Sequence, residues 1–150
     1  MKMLFAIGEE ADDERVDSAI RRMLARKEKV PGFGHRVYRT EDPRATHLRQ
    51  MSRELGQEIG QPRWFQISER IEAVMKEETR IDANVDFYSA STYHALGFAV
   101  DLFTPIFVAS RVAGWTAHVL EQYANNRLIR PRADYIGPEY PQSVVRLDER

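Results

Sequence analysis

The chain has 150 residues, of which 43% are hydrophobic and 30% charged, and its formal net charge is −1. This composition is typical of one globular domain, and the balanced charge argues against nucleic acid or an anionic membrane as a partner. Because the chain has no cysteine, disulfides and thiolate chemistry are excluded.

The N-terminus gives no sign of export or membrane insertion. No apolar run approaches the roughly 18 residues of a membrane span. The opening MKMLFAIGEEADDE has one lysine and a short apolar run before its acids, which is not the pattern of a secretory signal. We therefore expect a cytoplasmic protein.

Helices are predicted through the first half of the chain. The apolar residues 1–7 resemble the end of a helix that Gly8 terminates. The segment DDERVDSAIRRMLARKEK has an aspartate cap, an acidic first turn and a basic last turn. A third helix is expected to open at Asp42-Pro43 and to bury one apolar stripe: Leu48, Met51, Leu55 and Ile59. A fourth follows Pro62 and runs to about Glu78.

The second half has one long apolar helix and a tail. Residues 79–91 have no clear period and are predicted to be mostly loop, followed by a short helix from about Ser91 to Gly97. Thr104-Pro105 has a cap-and-proline pattern, and the helix that it opens is apolar on most faces, which predicts burial between neighbours. Residues 127–150 are expected to be extended. The sequence predicts an all-α fold with helical residues 1–100, a long buried helix over 101–126 and a tail over 127–150.

Positive charge is concentrated in residues 21–49, which hold nine Lys or Arg and three Asp or Glu. Within this block, VPGFGHRVYRTEDPRA places His35 on a glycine-rich turn before Arg36, Arg39 and Arg44. Such a cluster suits a polyanionic small ligand, and a solvated helix face is the alternative. Glycines let backbone approach a ligand, but this Gly-x-Gly matches no nucleotide-binding fingerprint.

Two further side chains are candidates for chemistry. Asp86, in NVDFYSAS, is either a helix N-cap or a carboxylate that accepts a proton from a reacting carbon. Arg111 lies within the apolar helix and therefore needs an anion nearby, either a protein carboxylate or a ligand carboxylate. No metal is expected, because metal-ligand spacing is absent.

Three segments taken in order, GFGHRVYRTEDPRA, NVDFYSAS and LFTPIFVASRVAGWTAHVLEQYANNRLIRPRADY, resemble citrate synthase of the bacterial type. The resemblance covers about residues 1–140. It implies the condensation of acetyl-CoA with oxaloacetate to citrate and CoA, with no cofactor, in a homodimer of the tricarboxylic acid cycle.

The resemblance also implies roles for individual residues. Asp86 matches the base that removes a methyl proton, and His35 the histidine that donates to the oxaloacetate carbonyl. The oxaloacetate carboxylates would be held by Arg44, by Arg111 and, in the partner subunit's site, by Arg130. The implied CoA contacts are Val30, Pro31, Gly32, Phe33, Gly34 and Arg39.

The resemblance implies that a large domain with another catalytic histidine lies upstream in this family. We therefore expect the chain to be the C-terminal portion of such an enzyme and to be inactive alone. Two alternatives stay open: a 2-methylcitrate synthase that uses propionyl-CoA, and a non-catalytic CoA-binding or structural partner.

Overall fold

A computed structural model of the chain describes residues 1–139 and 145–149. The helices are α1 (Lys2–Ile7), α2 (Asp13–Ala25), α3 (Pro43–Glu58), α4 (Arg63–Thr79), α5 (Val85–Ala95) and α6 (Phe103–Ala124). Single 3-10 turns occupy Val100–Leu102 and Leu147–Glu149. Within the described ranges the only β-type pairing is one antiparallel bridge between Phe33 and Ala83. The prediction of an all-α fold is confirmed.

The signals at the helix ends act as their chemistry predicts. The Asp12 carboxylate accepts the Arg15 N–H at 2.8 Å and caps α2, and the Asp42 carboxylate accepts the Arg44 N–H at 3.0 Å and caps α3. Gly8 follows α1 with a φ of 100°, a conformation that glycine adopts readily.

The chain forms two compact units, residues Met1–Arg111 and Val112–Arg150, which divide within α6. In the first unit α2 packs against α4, and α3 packs mainly against α5. Its core is built mostly by α2, α4 and α5, and its largest wholly buried side chains include Tyr88, Ile20, Ile67 and Ile71. The predicted three-part division of the sequence stays a prediction.

Helix α3 buries only part of the predicted stripe: Leu48 and Leu55 are half-buried, and Leu48 packs against the core. Its buried residues are Ala45, Ser52 and Gly56, whereas Met51 and Ile59 are exposed. Small side chains bring α3 close to α5, and the Ser52 hydroxyl donates to the Ser91 hydroxyl at 2.7 Å. The hydropathy pattern did not reveal this contact, because it depends on the small size of the side chains of α3 and not on their hydrophobicity.

Helix α5 is longer than predicted. It begins at Val85 instead of near Ser91, because Asn84 caps it: the Asn84 side chain accepts the Asp86 N–H at 2.9 Å. The prediction of a loop over residues 79–91 was therefore wrong from Val85 onward, which is more than half of that stretch. The inner face of this helix was not recognised from hydropathy, because it includes the buried polar residues Ser91 and Thr92.

The predicted start and burial of α6 also need correction. The helix begins at Phe103, directly after the 3-10 turn, so Thr104 lies inside it and does not cap it. None of its residues is buried in this chain, although its sequence predicts burial. Residues 126–139 are exposed and non-helical. The prediction of an extended tail was wrong at Leu147–Glu149, which form a 3-10 turn, and residues 140–144 and 150 lie outside the described part.

Candidate functional site

The glycine-rich turn is fastened to the start of α5 by Asn84. The Asn84 N–H donates to the Gly32 carbonyl at 2.8 Å, and its side-chain amide donates to the Gly34 carbonyl at 2.8 Å. The Gly34 N–H donates to the Asp82 carbonyl at 3.0 Å. The side chain of Asn84 therefore caps α5 and fixes the turn before His35 at the same time.

Gly32 is the closest point of contact between this turn and α5. Its φ is 88°, and a Cβ atom placed there would lie 2.8 Å from the Cα of Phe87. The next residue, Phe33, places its ring 4.6 Å from the Phe87 ring, centroid to centroid. Only glycine fits at this position.

The imidazole of His35 has a defined hydrogen-bonding state. Its Nδ1 accepts the N–H groups of Val37 at 3.0 Å and Tyr38 at 3.1 Å, so the geometry assigns the ring proton to Nε2. The side chain is exposed and lines a cavity of about 260 Å³, together with Tyr38, Arg39 and Arg80. His35 can therefore donate one hydrogen bond from Nε2 to a group in this cavity.

Asp86 occupies the first turn of α5 with an exposed side chain, so the N-cap alternative for this residue was wrong. It lines two cavities, of about 490 Å³ and 260 Å³. The larger has mostly apolar walls that include Leu48, Tyr93 and Phe107. The smaller extends to Pro31 and Gly32, so the carboxylate and the glycine-rich turn share one cavity.

Asp42 joins Arg44 to the N-terminus of α5. Its buried carboxylate accepts from Arg44 Nε at 3.0 Å and Nη2 at 2.8 Å, and also from the Val85 N–H at 3.3 Å. Hydrogen bonding to Arg44 lowers the pKa of Asp42, against the opposing effect of burial. The Asp42 carboxylate correspondingly raises the pKa of Arg44, and Tyr38 and Asp86 add smaller electrostatic contributions. Arg44 therefore lies within electrostatic range of Asp86.

A largely buried polar cluster connects α5 to α3 and α4. The Tyr88 hydroxyl donates to Glu72 of α4, and Arg49 of α3 pairs with the same carboxylate. Burial, followed by the bond to Glu72, raises the pKa of Tyr88. The helix that carries Asp86 is therefore fixed from two neighbouring helices.

The arginines on the second half of the chain are less enclosed. The Arg111 guanidinium lies 5.0 Å above the Phe107 ring, whose residue lines the larger cavity beside Asp86. Arg111 has no ion pair within the described ranges. Arg130 is exposed in the non-helical stretch after α6.

The sequence-predicted residues are therefore only partly brought together. Asp42 and Asn84 connect the His35 turn, Arg44 and the first turn of α5, but His35 and Asp86 line different cavities. Sequence reasoning treated Asp42 only as a helix cap and did not single out Asn84. An asparagine two residues before the Asp86 position is a recognisable N-cap signal.

The described residues contain neither a metal-binding cluster nor a membrane-spanning helix. Over 1–139 and 145–149, no group of three or more His, Cys, Asp or Glu side chains is arranged to hold a metal ion. In the same ranges, none of the helices combines the length and hydrophobicity of a bilayer-spanning segment.

The helical architecture puts the described part of the chain in the class of all-α proteins. A family model described as "Citrate synthase, C-terminal domain" matches residues 1–132. The chain therefore belongs to the citrate synthase family, whose members are acyltransferases.

Curated relatives agree with this assignment. Citrate synthase 2 of Bacillus subtilis is 55% identical over 150 residues, which cover 100% of this chain and 39% of that protein. The 2-methylcitrate synthase of Shewanella oneidensis is 45% identical over 150 residues, which again cover 100% of this chain and 39% of that protein. The chain thus spans about two fifths of the length of these relatives.

Solved structures share the fold. The citrate synthase of Thermotoga maritima superimposes with a TM-score of 0.82 at 36% identity, over 99% of this chain and 41% of that one. The citrate synthase of Thermoplasma acidophilum, solved as a ternary complex with carboxymethyl coenzyme A and oxaloacetate, superimposes with a TM-score of 0.83 at 31% identity, over 99% of this chain and 41% of that one.

Proposed function

We propose that these 150 residues form the C-terminal part of a citrate synthase, which condenses acetyl-CoA with oxaloacetate to give citrate and CoA. Acetyl-CoA is the substrate and no cofactor takes part. A cytoplasmic homodimer working in the tricarboxylic acid cycle belongs to the same proposal. The observation that carries it is the position of Asp86, which lines a cavity shared with the glycine-rich turn.

Asp86 is the proposed base. Its carboxylate takes a proton from the methyl carbon of acetyl-CoA, and the enolate that forms attacks the carbonyl carbon of oxaloacetate. Its exposure at the start of α5 supports this role, because the side chain is not engaged as a cap. Hydrolysis of citryl-CoA then releases citrate and CoA.

His35 and the arginines are proposed to hold oxaloacetate. The Nε2 proton of His35 is donated toward the carbonyl oxygen, on which negative charge develops as the new bond closes. Arg44 and Arg111 bind the carboxylates, since guanidinium groups bind carboxylates bidentately. Arg130 is proposed to complete the site of the partner subunit in the homodimer.

The segment Val30–Gly34 is proposed to bind the adenine of CoA through its backbone. The members of this set are Val30, Pro31, Gly32, Phe33 and Gly34. The bonds from Asn84 support the role, because they hold the turn in one conformation before the ligand arrives. Arg39, at the rim of the His35 cavity, is the proposed phosphate contact.

The test is a chimera in which these residues replace the corresponding part of the B. subtilis relative. We expect CoA release that requires both acetyl-CoA and oxaloacetate. The 150-residue chain alone should give no turnover, because loss of even one oxyanion donor costs about 10²–10³-fold in rate. A folded chimera without activity contradicts the proposal, as does synthase turnover by the chain alone.

The similarity to 2-methylcitrate synthases favours one further candidate, condensation of propionyl-CoA. The two acyl groups differ by one methylene, which a pocket distinguishes by roughly 1–3 kcal/mol. Comparing kcat/KM for acetyl-CoA and propionyl-CoA in the chimera decides between them. If the chimera is inactive but the chain binds CoA in calorimetry, the non-catalytic CoA-binding alternative is favoured.

A further inference from the structure

We propose that Asp42 is a positioning residue that sets the orientation of the Arg44 guanidinium for a ligand carboxylate and links it to the first turn of α5. This inference rests on the proposed function only for the identity of the ligand, oxaloacetate. The contacts between Asp42, Arg44 and Val85 carry it independently.

The first observation is the way in which Asp42 uses its two oxygens. Its Oδ1 accepts from the N–H and the Nε of Arg44, and its Oδ2 accepts from Arg44 Nη2 and from the Val85 N–H. The Asp42 side chain, which is 1% exposed, therefore caps α3, binds the Arg44 guanidinium and accepts a hydrogen bond from the start of α5. A cap alone needs only one of these four bonds.

The second observation is that one edge of the Arg44 guanidinium is not bonded to Asp42. Asp42 occupies the edge formed by Nε and Nη2, and Arg44 Nη1 makes no hydrogen bond in the described part of the chain. The Arg44 side chain is 44% exposed. The edge formed by Nη1 and Nη2 is thus available to bind a second carboxylate through two parallel N–H bonds.

The third observation is that Asp42 joins two parts of the site. Val85 immediately precedes Asp86, so a bond from the Val85 N–H to Asp42 ties the helix of the proposed base to the arginine. Because the bond fixes the distance between the binding group and the reacting group before the ligand arrives, less conformational entropy is lost when the ligand binds.

The negative charge of Asp42 and its positioning of Arg44 predict opposite changes in oxaloacetate affinity when Asp42 is neutralised. As a charge, Asp42 opposes the binding of a dianion, so its neutralisation should strengthen the binding of oxaloacetate. As a positioning residue, it keeps the guanidinium in one conformation, so its loss should weaken binding. The sign of the change in affinity therefore separates the two effects.

The test uses the 150-residue chain and two substitutions. Asp42→Asn keeps the size but removes the charge, and Asp42→Ser keeps a cap acceptor but does not reach the guanidinium. The matched control is Asp17→Asn, which removes another largely buried carboxylate that grips an arginine, Arg70. This control affects stability without touching Arg44.

Side-chain NMR gives the readout that a purely structural role would not change. In the unsubstituted chain we expect the Arg44 Nε–H to exchange with water at least about tenfold more slowly than in either Asp42 variant. Titration with oxaloacetate, followed on the same signal, should give a Kd at least about tenfold higher in the variants. Asp17→Asn should change neither value.

Each outcome decides the proposal. Unchanged Arg44 exchange, or tighter oxaloacetate binding in Asp42→Asn, overturns it. If both Asp42 variants fail to fold while Asp17→Asn folds, Asp42 acts on the fold and the positioning role is rejected. If oxaloacetate does not shift the Arg44 signal in the unsubstituted chain, the proposed role of Arg44 fails, while the exchange rates still test whether Asp42 orients it.

Discussion

Gly32 is the residue at which the proposed CoA-binding turn meets the helix of the proposed base. Its φ of 88° and its contact with the backbone of Phe87 leave no space for a side chain. The short distance lets the turn and Asp86 line the same cavity. At this scale, the proposed function depends on the absence of a methyl group at position 32.

A Gly32→Ala substitution should therefore destabilise the fold and displace the turn. We expect the free energy of unfolding to fall by more than the roughly 1–2 kcal/mol that a left-handed alanine costs, because the Cβ atom also collides with α5. Urea unfolding measures the change. Gly60→Ala is the matched control, since Gly60 has a φ of 71° but open space around its Cα. Equal losses in the two variants would contradict this explanation.

The individual site residues were predictable to different degrees. The roles proposed for His35, Arg44 and Asp86 come from the resemblance of their segments to a family pattern, whereas the Asp42 cap was predicted from its position before Pro43 and is confirmed. The bonds from Asp42 to the Arg44 guanidinium and to Val85 were not predicted, since the latter connects residues 43 positions apart. Such a contact depends on tertiary packing, which local patterns do not specify.

At the scale of the helices, the prediction succeeded where one face is strongly apolar and failed where small polar residues form the contact. Helices α2 and α4 follow the first case, and their bounds were close to the prediction. Helix α5 follows the second, because Ser91 and Thr92 are buried through hydrogen bonds instead of hydrophobicity. In α3 the fully buried residues are likewise small: Ala45, Ser52 and Gly56.

The pairing of α2 with α4 should depend on pH through Asp17. Arg70 accounts for most of the lowering of the pKa of Asp17, so the folded chain binds this proton less readily than the unfolded chain. The resulting stability is present above the unfolded pKa of about 3.9 and is lost as the pH falls through the lower folded value. Urea unfolding between about pH 6 and 2 measures this dependence.

Asp17→Asn should make the free energy of unfolding less dependent on pH below about 4. Arg70→Gln should have an effect in the same direction, because it removes the partner that lowers the pKa. If both variants keep the acid dependence of the unsubstituted chain, the ion pair is not the cause.

At the scale of the whole molecule, the most unusual feature is a long helix without any buried residue. The exposed apolar side chains of α6 are Phe107, Val108, Val112, Trp115, Val119, Leu120 and Tyr123. Soluble monomers rarely expose apolar patches of this extent, which usually mark an interaction surface. The composition of α6 predicted burial, and this prediction was wrong for this chain, because none of the residues of the helix is buried.

The 150-residue chain should therefore self-associate through α6. We expect its sedimentation coefficient to rise with concentration over about a hundredfold range, as mass action requires. Leu120→Lys should weaken the association, whereas Gln122→Lys adds the same charge at a polar position and should change it less. A chain that remains monomeric over the whole range would contradict this prediction.

The role that we propose for Asp86 is the removal of a proton from the methyl group of an acyl-CoA. It is tested most directly by the exchange of methyl protons of acetyl-CoA with deuterated solvent, in the chimera with the B. subtilis relative and a non-reacting oxaloacetate analogue. We expect exchange in the unsubstituted chimera and a loss of at least about 10²-fold in Asp86→Asn, with Asp101→Asn unaffected. Exchange that persists in Asp86→Asn would show that another group is the base.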